Sequence, residues 1–564
     1  MKQNFLLATA FAACAATALH AETVNVPTAG TLPSLISAEQ KYSITDLTLT
    51  GEINGTDLVL LREMMGLDIE NNATEGQLAS LDLSGVTFKA GGDAYLADYS
   101  KDIEYYITED ANVPSQSFSN LTKLTSVVLP ASATQIKDSA FYKCSALADV
   151  TFPEALTHIG TYAFEGTSLT SVTLPAGCLS YGKGAFRRIS TLTSATLPDA
   201  LTEIPASMFA DSGITGFNWP ASCTKVCDDA FYSTELTELV IPEGVTELGS
   251  DAFGSCRSLE SVSFPTTLQT IGDYAFEFCY GLTNVVVPDN VQTIGESAFY
   301  FCQGLETAQL PSTLPEISNS LFGNCFSLTT VNSPAGVTRI GDQAFNNTCI
   351  TEFAIPSTVT SIGMSAFEFS QLSGDVVLPE TLTELGENAF AYTYITSCNL
   401  PSSLTSIPDG CFSSCYGITE VVVPEGVTTV GMMAFMECGA KSITLPSTLT
   451  YVGSRAFSFC YECTSVTSYA ETPAEVEIAF RQQMAFNDMA ENCVLYVPQG
   501  CKAAYEASEP WNVFSAIEEF VPTGLTSLQP AASASAAARY NLFGQPSQSL
   551  RGFGIQNGRL QYVK

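Results

Sequence analysis

The sequence predicts a repeat solenoid: a curved superhelix of stacked coils with a long parallel β-sheet, short helical or 3-10 turns, and a cap at each end. Three observations predict it. Phenylalanine falls at 118, 141, 164, 186, 209, 231, 253, 276, 299, 322, 345, 367, 390, 412, 435 and 457, so every step is 22 or 23 residues. Proline stands eleven residues ahead of each of these from Phe141 onward, at positions running from Pro130 to Pro446. A unit of this length cannot bury its own apolar side, so neighbouring units must stack to make one continuous core.

The chain begins Met1-Lys2-Gln3-Asn4, followed by an apolar, alanine-rich run from Phe5 to Leu19 and small residues to Ala21. A basic start, a short apolar run and an Ala-x-A-type end read as an export signal over 1–21, with cleavage after Ala18 or Ala21. No segment is long and apolar enough to suggest a transmembrane span.

Residues 22–117 read as an N-terminal cap with irregular repeats. Ile44, Leu47 and Leu49, and again Leu78, Leu81 and Leu83, fall at strand spacing. Between them Asp57 to Met65, closed by Gly66, reads as a helix with an acid in its first turn and a glycine past its end. Residues 85–117, with Gly91-Gly92 and four tyrosines, read as irregular.

The regular array spans 118–468. In the coil from Leu282 to Gly304, Val285 in, Val286 out and Val287 in is the alternation of a half-buried strand. Pro288 ends that strand because it lacks a donor and fixes its own φ. Val291, with Ile294-Gly295, makes a second short extended piece. Glu296 to Cys302 is expected as a turn of helix or 3-10 with Ala298, Phe299 and Cys302 inward. At roughly 4.8 Å per strand, sixteen coils give a sheet on the order of 75 Å long.

Residues 469–521 read as a C-terminal cap: Val494 to Val497 a strand, Cys501 to Tyr505 a short helix, and Trp511, Phe514 and Ile517 the bulk over the last coil. From 522 to 564 the composition shifts to an alanine- and serine-rich linker and a glycine-punctuated tail.

Charge and composition exclude several functions. The 564 residues include 58 acidic and 22 basic ones, a formal charge of −36. Nucleic acid is excluded as a partner, since phosphate binding needs clustered Lys and Arg. His158 is the one histidine of the array and sits at an outward repeat position, so no imidazole-based triad is expected. Zinc spacings, phosphate loops and EF-hand loops are absent, and no cofactor, metal or catalytic residue is assigned. Eight cysteines (Cys144, Cys256, Cys279, Cys302, Cys325, Cys415, Cys438 and Cys460) lie three residues after the ladder phenylalanine. They read as a buried stack rather than a disulfide framework. Cys493 with Cys501, and Cys223 with Cys227, are the pairs that could bridge.

The repeat L-x-x-V-x-L-P-x-x-[LV]-T-x-I-G-x-x-A-F-x-x-C resembles the BspA-type, or Treponema-type, leucine-rich repeat of bacterial cell-surface proteins. The resemblance covers 118–468. It departs at Ser333-Pro334, at Ala440 in place of the leading Leu, at an extra residue in Leu372-Ser-Gly-Asp, and at Cys463 to Ser468, which lacks the proline. It implies an exported, surface-attached adhesion or binding scaffold for matrix proteins or other cells. The tail from Tyr540 is similar to the last strands of the C-terminal sorting tails of type IX secretion.

Recognition must then lie at outward positions. One outward column carries the acids Asp149, Glu238, Glu352, Asp375 and Glu420 with Asn284 among them; the other carries uncharged residues such as Val286. The expected face is flat, hydroxyl-rich and mildly acidic. A second candidate is aromatic: Tyr280, Tyr300, Tyr416 and Tyr461 flank the Phe-x-x-Cys turns, where rings could anchor a protein or stack on sugars. An extracellular protein is the first expected ligand; a glycan ligand or a structural coat is the alternative, and a hydrolase built on chance carboxylate pairs stands third.

Overall fold

The computed structural model describes residues 20–98, 100–477 and 484–521, and the backbone of the strands Gly552–Gln556 and Arg559–Val563. Most of the expected export signal and most of the 522–564 segment lie outside the described residues.

The chain is a parallel β-solenoid. In most regular coils a strand such as Asn284–Val286 pairs in parallel with the same position of the next coil, Asn284↔Thr307 and then Thr307↔Thr330; the coil of Glu352 has no strand there. The proline after it closes a tight turn: the Val291 N–H donates to the Pro288 carbonyl at 3.0 Å. A two-residue strand, Thr293–Ile294, forms a second parallel face. Val285, Val287, Val291, Ile294, Phe299 and Cys302 all point into the core.

The third face differs from the expected helical turn. No helix forms in the array; the segment around each ladder phenylalanine is a succession of turns. Two residues on either side of the ring adopt left-handed backbone, Ser297 at φ 56° and Phe301 at φ 59°. This path points alternate amides along the stacking axis. Those of Ser297, Phe299 and Phe301 donate to the carbonyls of Asn319, Leu321 and Gly323 in the next coil at 2.9, 3.1 and 2.9 Å. A helical turn would spend those amides on its own carbonyls and leave the coils unlinked on this side.

Seventeen rings stack without a break from Phe118 to Phe486, with centroids 5.1 to 6.2 Å apart. Each of the eight ladder cysteines donates its thiol to the phenylalanine carbonyl of the preceding coil, as Cys302 does to Phe276 at 3.2 Å. Burial pushes these thiols up, Cys302 to about 12. All described cysteines are free. The thiol of Cys493 meets that of Cys463 rather than Cys501.

The N-terminal strands Ala21–Val26, Asp46–Ile53 and Ser80–Phe88 join the same parallel sheet as Ser126–Val128 and Asp149–Thr151. The expected helix spans Gly55–Met64, capped by reciprocal bonds between Asn54 and Asp57, and Gly66 follows at φ 106°. The stretch read as irregular contains an antiparallel hairpin, Gly91–Asp98 with Ile103–Ile107.

Because the alternate turn amides that link coils point toward the C-terminal end, the first coil presents the carbonyls of Ser115, Ser117 and Ser119 with no preceding coil to bond them. Cap side chains reach them: the Tyr95 hydroxyl donates to Ser115 O at 2.5 Å, and Arg62 Nη1 to Ser117 O and Ser119 O at 3.2 and 3.3 Å. Arg62 is fully buried, with Nη2 on Asn71 Oδ1 at 2.8 Å, and burial lowers its pKa to about 10.

At the other end the parallel ladder runs on through Ser465–Ser468, Val494–Pro498 and Ala516–Phe520. Trp511 packs on Phe486 at 4.8 Å and donates its indole N–H to Ala474 O. The short helix is Lys502–Glu506. The ladder register shifts between Gly374, at φ 75°, and Asp375, where Thr396 of the next strand is skipped. Among the described residues no helix is long and apolar enough to cross a membrane.

Candidate binding surface

The strand that opens each coil determines which side chains face solvent. Val286 is 57% exposed opposite Gln309, and Asn284 is exposed opposite Thr307. Asp149, Glu238, Glu352, Asp375 and Glu420 are all exposed as expected. They come from scattered coils, and only Glu352 and Asp375 sit on successive ones. Asp375 accepts from the hydroxyls of Ser397 at 2.6 Å and Thr396 at 2.9 Å, which hold its carboxyl below the usual carboxylate range. Glu420 and Glu238 each lie opposite a serine, Ser442 and Ser261. The face therefore carries isolated carboxylates among hydroxyls rather than a continuous acidic strip.

The four tyrosines lie on another edge, where the chain leaves the phenylalanine turn; Tyr461 is 65% exposed. Tyr280 is half-buried beneath the Arg257 guanidinium, 5.5 Å from its ring centroid. Tyr300 accepts from Asn324 Nδ2 at 2.9 Å and sits among Phe278 and Phe301. Tyr416 is 62% exposed and donates to Glu437 Oε2 at 3.0 Å. Sequence reasoning missed Phe326, Phe369, Tyr392 and Tyr394, which are also exposed on this edge. They stand two or four residues after a ladder phenylalanine, a signal the repeat alignment carried.

The chain also holds a cleft of about 410 Å³ between the hairpin and the first coils, lined by Tyr105, Tyr106, Glu109, Asn112 and Lys137. His158 is part-exposed in a strand with Nδ1 2.9 Å from the Ser180 hydroxyl, and burial lowers its pKa. Among the described residues no group of three or more His, Cys, Asp or Glu could hold a metal ion.

Stacked parallel coils, a phenylalanine ladder and an exposed strand face define a leucine-rich-repeat solenoid. The model of the BspA type leucine rich repeat region matches six copies over residues 111–234, 224–349 and 338–464, more than half of the chain. The chain belongs to that family. No curated protein matches it. Among solved structures, a leucine-rich repeat protein from Bacteroides ovatus is similar at 20% identity, covering 70% of this chain and 92% of its own, with TM-score 0.46. The pneumococcal vaccine antigen PcpA is similar at 17% identity over 63% and 89%, TM-score 0.39. A leucine rich cell surface protein from Faecalibacterium prausnitzii is similar at 22% over 63% and 82%, TM-score 0.27. At these identities and scores the likenesses say nothing about ligands.

Proposed function

We propose that the protein is an exported bacterial surface protein that acts as a non-catalytic binding scaffold, an adhesin for matrix proteins or other cells. The observation that carries this reading is the exposed, in-register array of outward side chains repeated along one strand face, a form of surface that solenoids use for extended partners. Family membership supports it. The basic, apolar and small-residue order of the first 21 residues supports export. Ala21 already pairs with Asp46, and the Thr45 N–H bonds His20 O at 3.1 Å. Cleavage after Ala18 keeps both contacts, so the mature chain is expected to start at Leu19.

A carbohydrate-binding role is the second reading, favoured by the tyrosine-lined cleft at the N-terminal hairpin. Two experiments test the proposal. Protease shaving of intact cells should release peptides of this chain, and their absence counts against surface attachment. Pull-down of matrix proteins should weaken when Glu352 and Asp375 are changed together to Asn and Gln equivalents (Glu352→Gln, Asp375→Asn). Unchanged capture would remove the strand face from the account.

A further inference from the structure

The edge that leaves the phenylalanine turn changes character along the solenoid. Two residues after the ring, the early coils carry Lys143, Arg188 and Asp211, and Arg188 is paired with Glu165 at 3.3 Å and Asp211 at 3.6 Å. Later coils carry rings. Phe369 and Tyr392 stack face to face at 4.4 Å with 14° between planes and remain 48% and 44% exposed. Tyr394 and Tyr416, four residues after their ladder rings, are 64% and 62% exposed.

Three further observations indicate what covers this patch. Phe369 and Tyr392 both stand at φ 57°, in the left-handed region where neighbouring coils place Asn324 and Asn347. Every coil takes this backbone two residues after its ring, held by amide bonds such as Phe369 N–H to Ala391 O at 3.1 Å, and here it leaves both rings nearly half exposed. Between Arg257 and Lys441 the chain has eighteen acids and one base, Arg339, which is itself paired with Glu316. Glu437 is bonded to Tyr416, and Glu368 precedes Phe369 in the chain and accepts from Asn346 Nδ2 at 3.3 Å. Finally, the chain already seats a cation on this edge: the Arg257 guanidinium over Tyr280.

Building on the binding-scaffold reading, we propose that Phe369, Tyr392, Tyr394 and Tyr416, with Glu368 and Glu437, form a docking surface for an arginine- or lysine-rich segment of a partner protein. Its cationic side chains lie over the rings, as Arg257 does over Tyr280, and pair with the two carboxylates. A guanidinium suits the site best, since its plane stacks on a ring while its edge donates to a carboxylate.

The test uses the full chain and a nona-arginine peptide, measured by calorimetry over a salt series. Tyr392→Ala with Tyr416→Ala leaves the net charge unchanged and should weaken binding at least tenfold. A control at exposed apolar residues outside both surfaces, Leu179→Ala with Val513→Ala, should stay within twofold. Glu368→Gln with Glu437→Gln should reduce the salt dependence, a second readout that needs no ring to be removed; circular dichroism of each variant checks that it is folded. Equal binding by the wild type and the ring variant overturns the proposal. So does a glycan retained by the rings when the peptide is not. Capture of a matrix protein that persists in the ring variant overturns this docking site and leaves the scaffold reading standing, whereas a wild-type chain that captures no extracellular protein overturns the scaffold reading itself.

Discussion

Replacing Phe299 separates the stacking of the ladder from simple burial. Phe299 is fully buried, with Phe276 stacked 5.5 Å away on one face and Phe322 5.8 Å away on the other. Phe299→Leu keeps most of the apolar area and loses two ring–ring contacts. At about 0.5–1.5 kcal/mol per pair, the expected cost is about 1–3 kcal/mol. Phe299→Ala adds a cavity and should cost about 3–5 kcal/mol. The stability of a solenoid is a sum of unit and nearest-neighbour terms, so the damage should be local. Hydrogen exchange should show lost protection in the coils of Phe276, Phe299 and Phe322 and little change at Phe141 or Phe457, with urea unfolding giving the total. A leucine variant within about 0.5 kcal/mol of wild type, or protection lost evenly along the chain, would refute the ladder as the cohesive element.

The other predictions concern the ends, the thiols and acidity. Cys302→Ala removes the thiol donor of the buried Phe276 carbonyl, which keeps the Cys279 N–H at 3.3 Å, and should cost about 0.5–1.5 kcal/mol by denaturant unfolding; native Cys302 should also resist iodoacetamide at pH 8, where a reactive thiol would be labelled. Arg62→Lys keeps the buried charge but loses the fork that reaches Ser117 O, Ser119 O and Asn71 together, so exchange should speed up in the coil of Phe118, with a cost of about 2 kcal/mol. Burial, then the neighbouring carboxylates, raises Asp251 to about 6; burial, then Asp251, raises Glu277 to about 7. Their folded pKa values exceed the unfolded ones, so the stability they lend is complete below about pH 4 and is lost as pH rises through 6 to 7. Both groups are roughly half exposed, so after solvent screening each should contribute about 1 kcal/mol. Asp251→Asn with Glu277→Gln should therefore flatten the fall in melting temperature between pH 5 and 7.5; an unchanged slope would contradict the assignment.

Much of the fold is legible because every coil offers the same environment. Phe, Pro and Cys recur since each meets its own copy one coil away, and the repeat makes that visible without any structure. The left-handed pairs such as Ser297 and Phe301 were not legible. Neither residue type favours that backbone, and it is held by amide bonds to the next coil. Phe486 escaped because it follows Phe457 by 29 residues rather than 22 or 23, although it occupies the next position in the stack. Gly91-Gly92 suggested irregular chain where the first hairpin strand begins, since glycine is depleted in strands. On the binding edge, Tyr280 and Tyr416 were found by their neighbouring cysteines. Phe369 and Tyr392 were passed over because Ser370 and Thr393 stand where those coils would carry cysteine.

In the proposed role, a cohesive, acidic solenoid holds an extracellular protein on its outward surface. The most direct measurement places the purified full chain on an array of matrix proteins beside an array of glycans. Saturable retention of at least one protein is expected, weakened by raised salt and by substitutions at the outward carboxylates or the exposed rings, with no turnover of any glycan. Retention of glycans alone, or release of cleaved sugar, would contradict it.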